Sequence, residues 1–104
     1  MSSKKSMVKN ENFIVTHGWM INELNLKGNE LAVYAIIYGF SQTENQFFTG
    51  TAQYLADWTN STRQNVMKNL KALVEKGLLQ KKELYVDGVK LVHYRAIRNE
   101  MSQR

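Results

Sequence analysis

The chain has 104 residues, of which 43% are apolar and 11% are aromatic. That length is enough for one hydrophobic core and is short for two domains. Because the chain contains no cysteine, disulfides and thiolate zinc sites are excluded, and the cytoplasm is the expected compartment. The longest apolar run, Leu31 to Phe40, has about half the length that a helix needs to cross a bilayer, so no membrane contact is expected.

The net charge of +5 belongs entirely to the second half of the sequence. Residues 1–50 carry four basic and four acidic side chains, whereas residues 51–104 carry ten basic and five acidic ones. Clustered positive charge releases counterions from a nucleic acid on binding. A polyanionic partner is therefore expected for the second half, although a solvated basic surface would have the same composition.

The first half is predicted to be mainly helical. Residues 1–11 are polar and basic without apolar periodicity, which predicts a disordered arm. A short helix is predicted around Trp19–Leu24, and a second helix, apolar on nearly all sides, between Gly28 and Ser41. Such a helix is either central to the core or has a partner on its second face, and a homodimer would supply that partner. After a polar loop, Phe47-Phe48-Thr49 predicts a short strand that pairs with a later hairpin.

Two helices joined by a sharp turn are predicted next. Thr51 can cap the first helix, which runs to about Trp58 before Thr59-Asn60-Ser61 interrupts it. The second helix runs from about residue 61 to residue 76, with either Ser61, in a capping box with Gln64, or Thr62 as its N-cap. Its core face is predicted to carry Val66, Leu70, Leu73 and Val74, and Gly77 is predicted to end it.

A β-hairpin is predicted at the C-terminal end. Leu78–Val86 and Val89–Ile97 flank Asp87-Gly88, a dipeptide typical of the two-residue type I′ turn because both turn residues need positive φ. The polar residues 98–104 are expected to be a frayed tail. Pairing Val86 with Val89 places Leu84 opposite Leu91, Lys82 opposite His93, and Leu78 opposite Ile97.

The order of these elements is that of a winged helix-turn-helix. The predicted fold is therefore α+β and mainly helical, with a three-helix core, a C-terminal hairpin wing and an extra N-terminal helix, over residues 12–97. The residues at the sharp turn fit this fold. Ala56 is small where the two helices approach, Asn60 tolerates a left-handed turn, and Val66 is an apolar lock on the second helix.

The exposed side of the second helix carries side chains that can contact double-stranded DNA. Arginine can bridge guanine O6 and N7, asparagine and glutamine can pair with adenine, and lysine can neutralise a phosphate. The basic hairpin suits the phosphate backbone or the minor groove. The alternative is the solvated face of an amphipathic helix beside solubilising lysines. The predicted contacts are Thr62, Arg63, Gln64, Asn65, Lys68 and Asn69 in the helix, and Lys81, Lys82, Lys90 and Arg95 in the hairpin.

Base stacking and catalysis are both disfavoured by the sequence. His17 and His93 are the only histidines, no metal-ligand or nucleophile spacing is present, and the six glycines form no phosphate-binding loop. No enzyme activity, metal or cofactor is therefore expected. The larger aromatic residues fall on apolar faces, which predicts core positions for Tyr34, Tyr38, Phe47, Phe48 and Trp58.

Three segments of the sequence resemble a known family: Phe13–Met20, Leu26–Gln42 and Leu70–Leu79. They are similar to the N-terminal winged-helix domains of phage and plasmid replication proteins of Gram-positive bacteria, related to DnaD-like replisome organisers and plasmid replication initiators. The resemblance implies a role in replication initiation with host replication proteins as partners, usually recruited by a separate C-terminal region. Because Leu73–Leu78 is also typical of winged-helix repressors, a homodimeric repressor and a protein-interaction module remain alternatives.

Overall fold

The computed structural model describes residues 8–42 and 46–97. Within these ranges four helices precede a two-stranded antiparallel hairpin, and Phe48 adds an isolated antiparallel bridge to Tyr94. The arrangement is a winged helix-turn-helix, α+β and mainly helical, so the predicted fold is confirmed. The elements are α1 Gly18–Asn22, α2 Gly28–Phe40, α3 Ala52–Thr59, α4 Arg63–Glu75, β1 Leu79–Val86 and β2 Val89–Ala96.

Helix α2 lies at the centre of the core. Five consecutive residues, 33 to 37, are buried, and such a run covers the whole circumference of a helix. The helix packs against α1, α3, α4 and β2. Ala35 and Ile36 are only 2% and 4% exposed, whereas Phe40 at the end of the helix is 44% exposed. Packing within the chain therefore accounts for most of its apolar character, and Phe40 is the large apolar side chain of the helix that stays exposed.

The turn between α3 and α4 is made by Asn60 in the left-handed conformation. Its φ is 52°, and the amides of Asn60 and Ser61 donate to the carbonyls of Asp57 and Ala56 at 3.3 and 2.9 Å. This pair of hydrogen bonds is a Schellman motif, which closes α3 and reverses the chain. The small Ala56 is fully buried where the two helices meet.

Thr62, and not Ser61, caps α4. The Thr62 hydroxyl accepts a hydrogen bond from the Asn65 amide at 3.1 Å, while the Ser61 hydroxyl is paired with that of Thr59 at 2.7 Å. The capping box between Ser61 and Gln64 is therefore wrong, and the alternative cap is the one used. The reason is that the Schellman motif holds Ser61 in the turn, one residue before the N-cap.

Asn60→Ala should destabilise the fold without changing the backbone amides that donate the hydrogen bonds of the turn. The left-handed conformation costs a residue with a Cβ about 1–2 kcal/mol, and asparagine tolerates it better than alanine. We therefore expect a loss of about 1 kcal/mol in the free energy of unfolding. Urea denaturation followed by circular dichroism measures it. Asn60→Gly is the matched control, and a loss as large in this variant would contradict the conformational explanation.

The hairpin has the predicted turn and register. Asp87 and Gly88 have φ of 53° and 80°, as a type I′ turn requires. Val86 pairs with Val89, and the ladder runs to Leu79 opposite Ala96. One further hydrogen bond, from the Ile97 amide to the Leu78 carbonyl at 2.8 Å, continues the predicted register beyond the strand ends.

The base of the hairpin is attached to α2 by hydrogen bonds. The Tyr34 hydroxyl donates to the Ile97 carbonyl at 3.0 Å, and the Ala96 amide donates to the Ser41 hydroxyl at 3.0 Å. Between α4 and β1, Gly77 has φ of 79° and ends α4 in a second Schellman motif. The hairpin therefore leaves the core at a defined angle beside α4.

The N-terminal segments differ from the sequence-based boundaries. The first helix covers Gly18–Asn22, where Trp19–Leu24 was predicted. Within the range predicted as an arm, Lys9–Asn12 form a turn closed by an Asn12 amide to Lys9 carbonyl bond of 2.9 Å. Residues 1–7 and the predicted tail 98–104 lie outside the described residues.

In the part of the chain that the structure describes, no helix is both long and apolar enough to cross a membrane.

Candidate nucleic-acid interface

The solvent side of α4 forms the centre of the candidate interface. Gln64, Lys68, Lys71 and Glu75 follow one another at spacings of four, three and four residues, and all four are exposed. This row lies opposite the buried core face made by Val66, Leu70 and Leu73. The first two turns of the row border a shallow concavity lined by Ala52, Arg63, Gln64, Met67 and Lys68.

The cations of this surface are free to meet an anion. Arg63, Lys68 and Lys71 are exposed, and within residues 8–42 and 46–97 none of them is ion-paired with a carboxylate. The α4 N-terminus adds the positive end of the helix dipole beside Arg63. An acidic residue of the row, Glu75, comes only at the C-terminal end of the helix. The positive potential is therefore concentrated at the start of α4.

Two of the predicted DNA contacts lie at the edge of this surface. Asn65 and Asn69 share the flank of α4 that also carries Lys76, whose amino group is 2.7 Å from Glu30 of α2. Asn65 is exposed, but Asn69 is half-buried and its Oδ1 is buried without a hydrogen-bond partner. The structure therefore places Asn69 on the α2 side of α4, away from Gln64 and Lys68.

The basic residues of the hairpin lie on two opposite faces. Because side chains alternate along a strand, Lys81 and Lys90 share one face with the buried Tyr94, whereas Lys82 and Arg95 lie on the other. Lys81 and Tyr94 line a concavity together with Met67 and Lys71 of α4, so this face is turned toward α4. We call it the front face: Leu79, Lys81, Glu83, Tyr85, Lys90, Val92, Tyr94 and Ala96. The back face comprises Gln80, Lys82, Leu84, Val86, Val89, Leu91, His93 and Arg95.

Glu83 holds the two lysines of the front face. Its carboxylate is 3.4 Å from the Lys81 amino group and 3.3 Å from that of Lys90. The hydrogen bond and charge of Lys90, followed by those of Lys81, lower the pKa of Glu83, so this carboxyl stays ionised in mild acid. Burial, and secondly the charge of Glu83, raise the pKa of Tyr94, which stays protonated at neutral pH.

Glu83→Gln should strengthen DNA binding if the front face contacts phosphate. The change removes a negative charge and releases Lys81 and Lys90, so we expect about two- to fivefold tighter duplex binding at low salt and a steeper salt dependence. Fluorescence anisotropy with labelled duplex measures both quantities. Glu23→Gln, on an exposed residue at the end of α1, removes the same charge elsewhere, and an equal gain in this control would assign the effect to net charge alone.

Phe47 is not part of the core, contrary to its predicted position. Its half-buried ring lies on the back face, with the Lys82 amino group 5.4 Å and the Arg95 guanidinium 6.0 Å from the ring centre. Tyr34 and Phe48 are buried as predicted, at 0% and 2% exposure. Tyr38 and Trp58 are half-buried and pack against the core within aromatic clusters.

Sequence reasoning missed Met67 and Lys71. Met67 is 49% exposed and lines the concavities on both sides of α4, and Lys71 continues the row begun by Gln64 and Lys68. Helical spacing from Arg63 and Lys68 would have found both residues.

No group of three or more histidine, cysteine or acidic side chains that could hold a metal ion is present among the described residues.

Comparison with known proteins is consistent with this geometry. Residues 24–79, which contain α2, α3 and α4, match a family described as a helix-turn-helix domain. The chain belongs to this helix-turn-helix family. No curated protein matches the chain. Membership of the family and the observed fold together support a winged-helix DNA-binding domain.

A solved structure similar to this helix-turn-helix domain is described as a possible transcriptional regulator from Methanosarcina mazei Go1. The TM-score is 0.56 at 20% sequence identity, and the match covers 79% of this chain. It spans 65% of the length of the other chain. At this identity the likeness shows a shared fold.

Proposed function

We propose that this helix-turn-helix domain binds double-stranded DNA by inserting α4 into the major groove. The observation that carries the proposal is the row of exposed side chains on α4, together with Arg63 and Lys68 near the N-terminal end, which are not ion-paired within residues 8–42 and 46–97. A protruding α-helix fits the width of the major groove, and recognition helices contact base edges from their first turns. The hairpin then lies beside the neighbouring phosphates.

The proposed contacts follow from the side-chain chemistry at each position. Arg63 and Gln64 are suited to base edges, and Lys68 and Lys71 to phosphates. The Thr62 hydroxyl accepts the capping bond from Asn65 and still has its own hydrogen to donate to a phosphate oxygen. On the hairpin, the front face supplies Lys81 and Lys90, since this is the face turned toward α4.

The proposed biological role is DNA replication, as the binding domain of a phage- or plasmid-type replication protein in the cytoplasm. The support is the resemblance of Phe13–Met20, Leu26–Gln42 and Leu70–Leu79 to such proteins. Host replication proteins would be its partners. No catalytic role, metal or cofactor belongs to this proposal.

A homodimeric transcriptional repressor is an equally supported second candidate. The similar solved structure is described as a possible transcriptional regulator, and it shares the winged-helix fold. A dimeric repressor protects half-sites about one helical turn apart in one inverted repeat, whereas an origin-binding protein protects clustered repeats. Footprinting on genomic DNA fragments therefore separates the two roles. A single inverted repeat upstream of a gene would overturn the replication role.

A salt titration with duplex DNA tests the binding proposal itself. Every phosphate neutralised by lysine or arginine should contribute about −0.9 to the slope of log affinity against log salt concentration. We expect a steep fall in affinity, measured by fluorescence anisotropy. A flat response would overturn the phosphate contacts and leave a protein-interaction module as the function of the domain.

A further inference from the structure

The back face of the hairpin combines a basic half and an aliphatic half and carries no acidic residue. The half nearest the core is basic, with the exposed Lys82 and the half-buried His93 and Arg95. Its outer half is aliphatic, and three of its side chains are widely exposed: Val86 at 50%, Val89 at 58% and Leu91 at 39%. Leu84 completes this apolar half.

The back face has no role in the DNA complex proposed above. The front face is the one that borders α4, because Lys81 and Tyr94 line a concavity with Met67 and Lys71. The opposite face points away from this groove. A ligand on the back face and a duplex on α4 can therefore be bound together.

The two cations of the back face are held in place without a carboxylate. Lys82 and Arg95 both lie over the ring of Phe47, and neither is in an ion pair within the described ranges 8–42 and 46–97. Contact with the ring restricts the two side chains, so less conformational entropy is lost when an anion binds between them. The front face differs, since Glu83 is ion-paired with both of its lysines and offsets one of their two positive charges.

We propose that the back face binds a short protein segment that carries carboxylates next to apolar side chains. Charge complementarity directs the carboxylates to Lys82 and Arg95, and the apolar side chains then cover Leu84, Val86 and Leu91. A nucleic acid would satisfy the cations but would leave this aliphatic half uncovered, because its phosphates and sugars are polar. A protein segment matches both halves.

The free edge of β1 gives this segment a binding geometry. One edge of β1 pairs with β2, and no described residue pairs with the other edge. An extended segment added there, parallel to β1, places every second side chain on the back face. Its acidic side chain then reaches over β1 to the Lys82 and Arg95 cations beside Phe47, and its apolar side chains lie next to Leu84 and Val86. The expected pattern is an acidic residue followed at alternate positions by two apolar residues.

A labelled peptide with glutamate, leucine and valine at alternate positions, separated by threonines, tests the proposal on the full chain. We expect binding by fluorescence anisotropy that persists when α4 is saturated with duplex DNA. The double variant Lys82→Ala with Arg95→Ala should lose about tenfold in peptide affinity, because two charge-assisted contacts disappear. Lys81→Ala with Lys90→Ala is the matched control on the front face and should keep the affinity.

Two further variations distinguish the alternatives. A peptide with lysine in place of glutamate should not bind, and Leu91→Ser, on an exposed residue, should weaken the original peptide without altering circular dichroism. Equal peptide affinity for the two double variants would overturn the proposal. A loss of duplex affinity in Lys82→Ala with Arg95→Ala as large as the loss in peptide affinity would instead assign the back face to DNA. Duplex binding by α4 is measured separately, so its failure is not confused with failure of the back face.

Discussion

Replacing Arg63 and Lys68 together by alanine should lower the affinity for duplex DNA about a hundredfold. A bidentate contact to a base edge contributes about 1–3 kcal/mol, and loss of a phosphate contact lowers the salt slope by about one. Both side chains are exposed and line the same concavity at the start of α4. Fluorescence anisotropy at several salt concentrations measures the affinity and the slope together.

Lys9→Ala with Lys27→Ala is the control for this variant. It removes the same charge from exposed residues in the N-terminal half, where neither lysine is part of α4 or of the hairpin. We expect a change of less than about threefold, since only long-range steering is affected. Equal losses in the two double variants would show that net charge, and not the position of the cations on α4, determines binding. Thermal unfolding should be similar in both.

Leu73→Ala should be the most destabilising single change among those considered. Leu73 is fully buried on the core face of α4, and removal of a buried leucine side chain costs about 2–5 kcal/mol because the cavity collapses only in part. A domain of this size is stable by about 5–15 kcal/mol in total, so much of the stability would be lost. Urea denaturation at 25 °C gives the change directly.

An exposed residue of the same helix provides the control for Leu73→Ala. Met67 is 49% exposed, so Met67→Ala should change the free energy of unfolding by less than about 0.5 kcal/mol. The Leu73→Ala protein should bind DNA in proportion to its folded fraction, because Leu73 does not reach the surface. Similar destabilisation by the two changes would contradict the orientation of α4 described above.

Local chemistry made the turns and helix ends predictable. The left-handed Asn60, the Asp87-Gly88 turn and the stop at Gly77 depend on φ preferences of single residues, which a neighbouring element does not alter. The hairpin register followed from the turn, because a two-residue loop leaves one pairing for the strands. The sequence did not decide between Ser61 and Thr62 as the N-cap of α4, because the choice depends on the Schellman motif that ends α3.

The candidate interface was predictable for α4 and much less so for the hairpin. Helical periodicity separates Val66, Leu70 and Leu73 from the exposed side of α4, so Arg63, Gln64 and Lys68 could be identified from the sequence. Asn69 has a similar residue type but lies on the flank beside α2. Its burial results from the approach of a helix more than thirty residues away in the chain, which no local pattern records.

The sequence by itself determined the winged helix-turn-helix fold, because its elements, turns and register depend on residues that are close together in the chain. Only the tertiary structure decided which face of the hairpin is turned toward α4. Alternation already separates Lys81 from Lys82, but the burial of Leu79 and Tyr94 against the core is what orients the sheet. For the same reason, packing places Lys82 and Arg95 over Phe47 on the far side, and turns the face with Lys81, Glu83 and Lys90 toward α4.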